Sequence, residues 1–230
     1  MRTISTLTIV KDEQVWIKHM LDFIFEYVKP DEVIIVDGGS TDDTVGVINS
    51  YIGNGVPIKL IENQMPDSFT EQRNIALKNC SCSWVLQIDA DETYSKNIKG
   101  LIQDIKFGKY EQYDGFIFPT AHLMKDDSHM INGGGDIHLR LFKNKAGFVY
   151  EGEIHEKINL TDKTLQVGKI ALRHYSMLKS DAELLDKGKR YLNWTAQSSK
   201  AGIPIGHKEF FIEAKNNYDG PLFKVPEEWM

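Results

Sequence analysis

The sequence predicts an α/β fold, with a mixed, mainly parallel central sheet flanked by helices and an α+β second half. Three observations carry this. β-branched runs alternate with helical segments over residues 1–100, acidic motifs follow two of those runs, and the later strands succeed one another without crossover helices. Residues 6–10 form the first predicted strand. Val15, Ile17, Met20, Leu21, Ile24, Phe25 and Val28 then recur at helical spacing, and Pro30 stands where it can stop the helix. Residues 33–36 form a second, fully buried strand that runs into Asp37-Gly38-Gly39-Ser40-Thr41-Asp42-Asp43-Thr44. The glycines permit a tight turn, and Ser40 or Thr41 is expected to cap a helix through Tyr51.

Residues 58–61 read as a third short strand, and Ser68-Phe69-Thr70-Glu71 matches a capping box for a helix carrying Arg73, Ala76 and Leu77. The apolar run 84–88 delivers Asp89-Ala90-Asp91, and a helix is expected around 98–105. Residues 115–121, 137–142 and 166–174 are then predicted strands. Between the first two, Asn132-Gly133-Gly134-Gly135 has the permissive backbone of a mobile loop that could cover a site. Ser180-Asp181-Ala182-Glu183 is a further capping box, opening a helix of about five turns. Residues 1–200 are expected to form one domain, with 201–230 as a C-terminal arm.

Composition excludes several classes. Hydrophobic residues at 41% and charged residues at 26% match ordinary globular usage, which predicts a soluble globular chain rather than a disordered or disulfide-dense one. A net charge of −6 gives no general attraction to nucleic acid. Cys80 and Cys82 are the only cysteines, too few for a zinc cluster or a disulfide framework. Neither a secretory signal nor a long apolar span is evident, so a cytoplasmic location is expected.

Asp89 and Asp91 carry the chemistry. In an extended strand, residues two apart return to the same side, so both carboxylates could reach one hard cation such as magnesium or manganese, with phosphate oxygens and water completing its shell. The competing reading is a polar turn after a buried strand. In open sheets, ligands bind outside the carboxyl ends of the strands, where the Asp37 motif also lies.

Together these segments resemble family 2 glycosyltransferases of the GT-A (Rossmann-like) fold. The carriers are Leu7-Thr8-Ile9-Val10-Lys11-Asp12-Glu13, Val36-Asp37 through Thr44, Gln72-Arg73-Asn74 and Asp89-Ala90-Asp91-Glu92, in that order. Arg140-Leu141-Phe142, Gly152-Glu153-Ile154-His155-Glu156 and His174-Tyr175 resemble the bacterial subgroup related to lipopolysaccharide-core and peptide-modifying transferases, and the likeness extends over residues 3–195. One departure is Asp12, where the subgroup usually has Asn.

The resemblance implies an inverting, metal-dependent enzyme that moves a sugar from a nucleoside diphosphate, UDP by expectation, to a hydroxyl of a glycan or lipid-linked saccharide in cell-envelope polysaccharide biosynthesis. It makes 1–100 the nucleotide-binding half and 101–200 the acceptor half. Peripheral membrane contact, at the inner face, would come through the acceptor. Thr8, Lys11, Glu13, Asp37, Gly38, Ser40, Arg73, Asp89 and Arg140 are implied in binding the nucleotide, with Asp37 and Arg73 flanking its base. Asp91, Asp89 and His174 are implied around Mn2+ or Mg2+. Glu156, Glu153 and His155 are the candidates for the base that deprotonates the acceptor, with Glu156 favoured. Arg140 supports the diphosphate or pairs with Asp136 along its strand. The alternatives are a nucleotidyltransferase, which Lys11-Asp12-Glu13 disfavours because it contains no glycine-rich phosphate loop, and a non-catalytic nucleotide-sugar-binding protein.

Overall fold

The computed structural model describes every residue except 54–56, 65–67, 132–134, 153–155, 161–162 and 198–208, and for 190, 191, 193–197 and 210 only the backbone. The expected loop at Asn132-Gly133-Gly134-Gly135 therefore lies largely outside the described residues, as do Glu153, His155 and the start of the C-terminal arm. Strand β1 (Ile4–Val10) is buried along almost its whole length, as a central parallel strand must be. Helix α1 (Gln14–Phe23) buries Ile17, Met20 and Leu21 against the sheet. It continues as a π turn over Ile24–Val28, closed by Lys29 in the left-handed conformation at φ 49°. The helix thus stops one residue before Pro30, with the Lys29 N–H donating to the Ile24 carbonyl at 2.8 Å.

β2 (Glu32–Asp37), α2 (Thr44–Ile52), β3 (Ile58–Glu62), α3 (Phe69–Asn79) and β4 (Trp84–Gln87) follow, and then β5 (Glu92–Tyr94) and α4 (Ile98–Lys106). The second half comprises β6 (Gly115–His122), β7 (His129–Met130), β8 (Asp136–Lys143), β9 (Tyr150–Glu151), β10 (Lys157–Ile158), β11 (Thr164–Gln166), β12 (Leu172–His174), α5 (Asp181–Gln197), α6 (Phe210–Asn216) and β13 (Phe223–Lys224). The single strand expected over 166–174 is two strands, β11 and β12, because a turn at Gly168 interrupts it; both pieces pair in parallel with β6.

The main sheet runs β3-β2-β1-β4-β8-β6-β12-β5, with β11 also on β6. β1 to β4 are mutually parallel, and β8 enters antiparallel between β4 and β6. The chain builds outward from β1 through β2 to β3 and then crosses to β4 on the other side of β1. Strand order reverses there, which opens a crevice at the carboxyl ends of β1 and β4, the place where open α/β sheets bind ligands. Trp84, Tyr94, Phe116, Phe118 and Phe142 fill the core around β4, β6 and β8.

Two of the three expected caps differ from expectation. Ser40 and Thr41 do not cap α2; it starts at Thr44, where Asp42 Oδ1 accepts from the Thr44 N–H at 3.0 Å and its hydroxyl at 2.5 Å. Ser68 is extended at the N-cap of α3 but makes no side-chain cap bond. The box at α5 does form: Glu183 N–H donates to Ser180 Oγ at 3.3 Å, and Ser180 N–H donates to Glu183 Oε2 at 2.8 Å. Ser180→Ala is therefore expected to cost about 1 kcal/mol, read from urea denaturation midpoints.

The described part of the C-terminal arm folds back on the domain. Lys215 of α6 donates to the Lys179 carbonyl at 2.8 Å, β13 pairs with β7, and Trp229 Nε1 donates to the Gly168 carbonyl at 2.9 Å.

Candidate active site

Asp89 and Asp91 occupy a tight turn between β4 and β5, not an extended continuation of β4. Glu92 N–H donates to the Asp89 carbonyl at 3.1 Å, and Asp89 N–H donates back to Glu92 Oε2 at 2.9 Å. The turn sends the two carboxylates to different partners, so the extended-strand geometry from which the pair was read does not form. Asp89 accepts two bonds from Arg73, at 2.7 and 3.0 Å, and one from Arg140 at 3.3 Å. Asp91 faces Lys179 at 2.8 Å, His174 Nε2 at 3.7 Å and Lys187 at 3.9 Å. Tyr175 N–H donates to the Asp91 carbonyl at 2.9 Å, which pins the end of β12, and with it His174, beside the turn.

Electrostatics sharpen the division. Burial alone would raise both carboxyls. The Arg73 and Arg140 guanidiniums instead bring Asp89 down to about 2, and the Lys179 ammonium, with His174 and Lys187, holds Asp91 well below the usual carboxylate range. Both are anions at neutral pH.

Arg73 is the hub of the first group. It projects inward from α3, and besides Asp89 its Nε donates to Glu156 Oε1, closing a pair whose side chains are 7% and 9% exposed. The structure thus brings Arg73 to Asp89 and Glu156 and places the favoured base in an ion pair. Arg140 donates to Glu92 at 2.9 Å. It does not pair with Asp136, because four residues along a strand separate the two by about 13 Å. Gln87 lies beneath both guanidiniums; with its amide oxygen turned towards them, its nitrogen donates to the Tyr150 hydroxyl at 2.9 Å.

The loops after β1 and β2 lock onto each other. Asp37, 2% exposed, accepts from the Gly39 and Ser40 N–H groups, each at 2.9 Å, and from the Ser40 hydroxyl. Gly39 sits at φ 82°, where a side chain would be strained. Thr8 donates its hydroxyl to the Ile88 carbonyl at 2.8 Å and Lys11 reaches the Gly38 carbonyl at 3.1 Å. Asp12 holds φ 52°, donates its N–H to Ser40 Oγ at 2.9 Å and accepts at Oδ1 from Thr41 N–H at 2.7 Å.

That left-handed position suits Asn as well as Asp. Asp12→Asn is accordingly expected to change stability by less than about 0.5 kcal/mol, whereas Asp12→Ala loses the Thr41 bonds and costs about 1–2 kcal/mol in urea denaturation.

Several participants escaped the sequence reading. Lys179, 2% exposed, lies between Asp91 and Glu13 Oε1, the latter at 2.5 Å. Burial works against its charge, and the two carboxylates more than offset this, raising it above the ordinary lysine value. Glu13 is raised by burial and by Asp91, against Lys179. His122, which belongs to no sequence motif, pairs its Nδ1 with His174 Nδ1 at 2.8 Å and its Nε2 with Asp136 at 3.0 Å. Burial and the neighbouring His174 bring His122 down to about 4, so it is neutral at pH 7. With its Nε2–H donated to Asp136, His122 accepts at Nδ1 from His174 Nδ1–H, which orients the His174 ring with Nε2 towards Asp91 Oδ2.

The family model "Glycosyl transferase family 2" matches residues 5–155, which include the Asp37, Arg73 and Asp89-Ala90-Asp91 segments. This chain belongs to glycosyltransferase family 2. Among similar family members, the lipopolysaccharide core biosynthesis glycosyltransferase LpsC of Rhizobium meliloti (strain 1021) is 28% identical over 159 residues, covering 69% of this chain. The chain spans 58% of the length of LpsC. The mannosyltransferase PcManGT of Pyrobaculum calidifontis, solved with GDP-Man and Mn2+, superposes with a TM-score of 0.59 at 15% identity, over 93% of this chain and 69% of its own. TarS 1-349 of S. aureus, solved with UDP-GlcNAc, gives 0.57 at 16%, over 94% and 72%. These likenesses establish a GT-A-like fold for this family 2 glycosyltransferase.

Proposed function

We propose that this enzyme transfers a sugar, with inversion, from a UDP-linked donor to a hydroxyl of a saccharide or lipid-linked saccharide, in a metal-dependent reaction at the crevice beside β1 and β4. The observation that carries the proposal is the placement of Asp91 and His174. Asp91 Oδ2 and His174 Nε2 are 3.7 Å apart, compatible with two ligands on one octahedral ion, whose neighbouring ligands stand about 3 Å apart before any adjustment. His174 Nε2 and the Asp91 carboxylate face each other across this gap, an imidazole nitrogen and a carboxylate oxygen of the kinds that ligate such an ion. His122 holds the ring from its other nitrogen, as metal-bound histidines require. Among the described residues no group of three or more His, Cys, Asp or Glu is gathered for a metal; in this proposal Asp91 and His174 supply two ligands, and the donor's phosphate oxygens and water the others. Asp89 is not among the ligands in this proposal, since both its oxygens serve guanidiniums.

When bound, Mn2+ or Mg2+ would neutralise charge on the departing nucleoside diphosphate. The chain's own residues do the rest. The interlocked Lys11–Glu13 and Asp37–Ser40 loops form the nucleotide side of the crevice, and Arg73, Arg140, Asp89 and Glu92 fix the turn that aims Asp91. Lys179 and Lys187 add positive charge on the same face.

The acceptor's base comes from Glu153, His155 or Glu156. Glu156 Oε1 already accepts from Arg73 Nε, which fixes the orientation of its carboxylate. A pH–rate profile assigns the base: the acidic limb disappears in Glu156→Gln if Glu156 fills the role, and in Glu153→Gln or His155→Gln otherwise.

UDP-sugars presented with Mn2+ and saccharide acceptors should yield UDP and a lengthened acceptor. Pyrophosphate in place of nucleoside diphosphate would identify a nucleotidyltransferase instead. The relationship to LpsC, named for lipopolysaccharide core biosynthesis, supports a cell-envelope saccharide as the first acceptor class to try. No described helix is long and apolar enough to cross a membrane.

A further inference from the structure

Lys179 precedes α5 with its ammonium clasped by Asp91 Oδ2 at 2.8 Å and Glu13 Oε1 at 2.5 Å. A lysine at 2% exposure is sustained only by such pairing. Its two partners come from separate strand ends, one after β1 and one after β4, so the ammonium bridges the crevice floor. The backbone is held from the opposite side, where Lys215 of α6 donates to the Lys179 carbonyl at 2.8 Å. The Asp91 oxygen that Lys179 occupies is the one that faces His174 Nε2, and Lys187 stands 3.9 Å from it.

We infer that Lys179 is a built-in counter-cation that keeps a divalent ion off Asp91 until a nucleoside diphosphate arrives, and thereby couples metal binding to donor binding. This rests on the metal–diphosphate reading above. Without nucleotide, a dication at Asp91 must share one carboxylate oxygen with an ammonium and sit against a second from Lys187. Like charges so close, in a site shielded from water, repel strongly. A diphosphate supplies the missing anions. Lys179 can then exchange Asp91 for a phosphate oxygen while it keeps Glu13, and Asp91 becomes free to ligate. Linkage is reciprocal: the factor by which UDP tightens Mn2+ equals the factor by which Mn2+ tightens UDP, and Lys179 is the residue that enlarges it.

The test is isothermal titration calorimetry of Mn2+ into the full chain, with and without UDP, in wild type, Lys179→Met and Lys179→Arg. Wild type should bind Mn2+ about tenfold or more weakly without UDP than with it. Lys179→Met should bind Mn2+ without nucleotide about tenfold tighter than wild type, and its UDP–Mn2+ coupling factor should shrink to match. Lys179→Arg, which keeps the charge, should retain the wild-type pattern. A purely structural lysine predicts weaker binding in the Met variant and no selective loss of coupling. If Lys179→Met does not melt cooperatively, Lys179→Gln carries the same expectation. Unchanged Mn2+ affinity in the nucleotide-free neutral variant, alongside firm binding by UDP-loaded wild type, overturns the inference and leaves the metal site standing. Absence of Mn2+ binding by UDP-loaded wild type overturns both.

Discussion

Asp91→Asn is expected to reduce sugar transfer about a thousandfold or more, with Mn2+-dependent UDP binding lost in parallel. The carboxylate contributes a negative charge that an amide cannot replace, and stabilisation of a leaving diphosphate by a fixed cation is worth several kcal/mol of barrier. Asp91 also serves folding. It is one of the two carboxylates that hold Lys179 in the interior, so Asp91→Ala leaves that ammonium to Glu13 alone. Breaking a buried pair by removing one partner costs about 3–5 kcal/mol, and the remaining Glu13 contact keeps the expected loss near the lower end, about 3 kcal/mol. Comparison of Asn with Ala at this position separates the catalytic effect from the structural one: kinetics read the first, urea denaturation the second.

Arg73→Met is the substitution expected to cost most in stability, about 3–5 kcal/mol. Its guanidinium serves Asp89 and Glu156, and Met would leave Glu156 buried without that cation and Asp89 with Arg140 only. The same network gives the protein an acid-sensitive stability. Asp89 falls from 3.8 to about 2 in the folded chain, so the unfolded chain takes up its proton first as the pH drops. This contribution is complete above about pH 4 and is lost between about pH 4 and pH 2. The gap between the two values corresponds to about 2 kcal/mol. Denaturation midpoints of wild type should fall through that window, and Arg73→Met should show a shallower fall because its folded-state Asp89 is less depressed.

The parallel half was legible because local signals there agree with tertiary ones. β-branched runs, helical periodicity and the glycines after Asp37 each specify the element that forms, and β1 to β4 emerge within a few residues of expectation. Where one residue carries two competing signals, the sequence left the choice open. Asp89-Ala90-Asp91 reads either as a strand end or as a turn, and only the pairing of β5 with β12 determines that it turns. Arg73 on a helix looks solvent-facing until β4 and the 156 region close over it. Lys179 gave no sequence signal at all, since a lysine ahead of a capping box is ordinarily a surface residue. Its burial depends on two carboxylates far away along the chain. His122 and His174 likewise meet only because β6 and β12 are neighbours in register. Side chains joined by sheet topology are invisible to spacing rules, which explains why Lys179 and His122 escaped while Asp89, Asp91, Arg73, Arg140 and His174 did not.

The most direct test of the account is calorimetric titration of UDP into the wild-type chain and into Asp91→Asn, each with and without Mn2+. The account predicts that Mn2+ tightens UDP binding in wild type and has no such effect in the variant. Equal UDP affinity with and without Mn2+ in wild type, or full retention of the Mn2+ effect in Asp91→Asn, would contradict it.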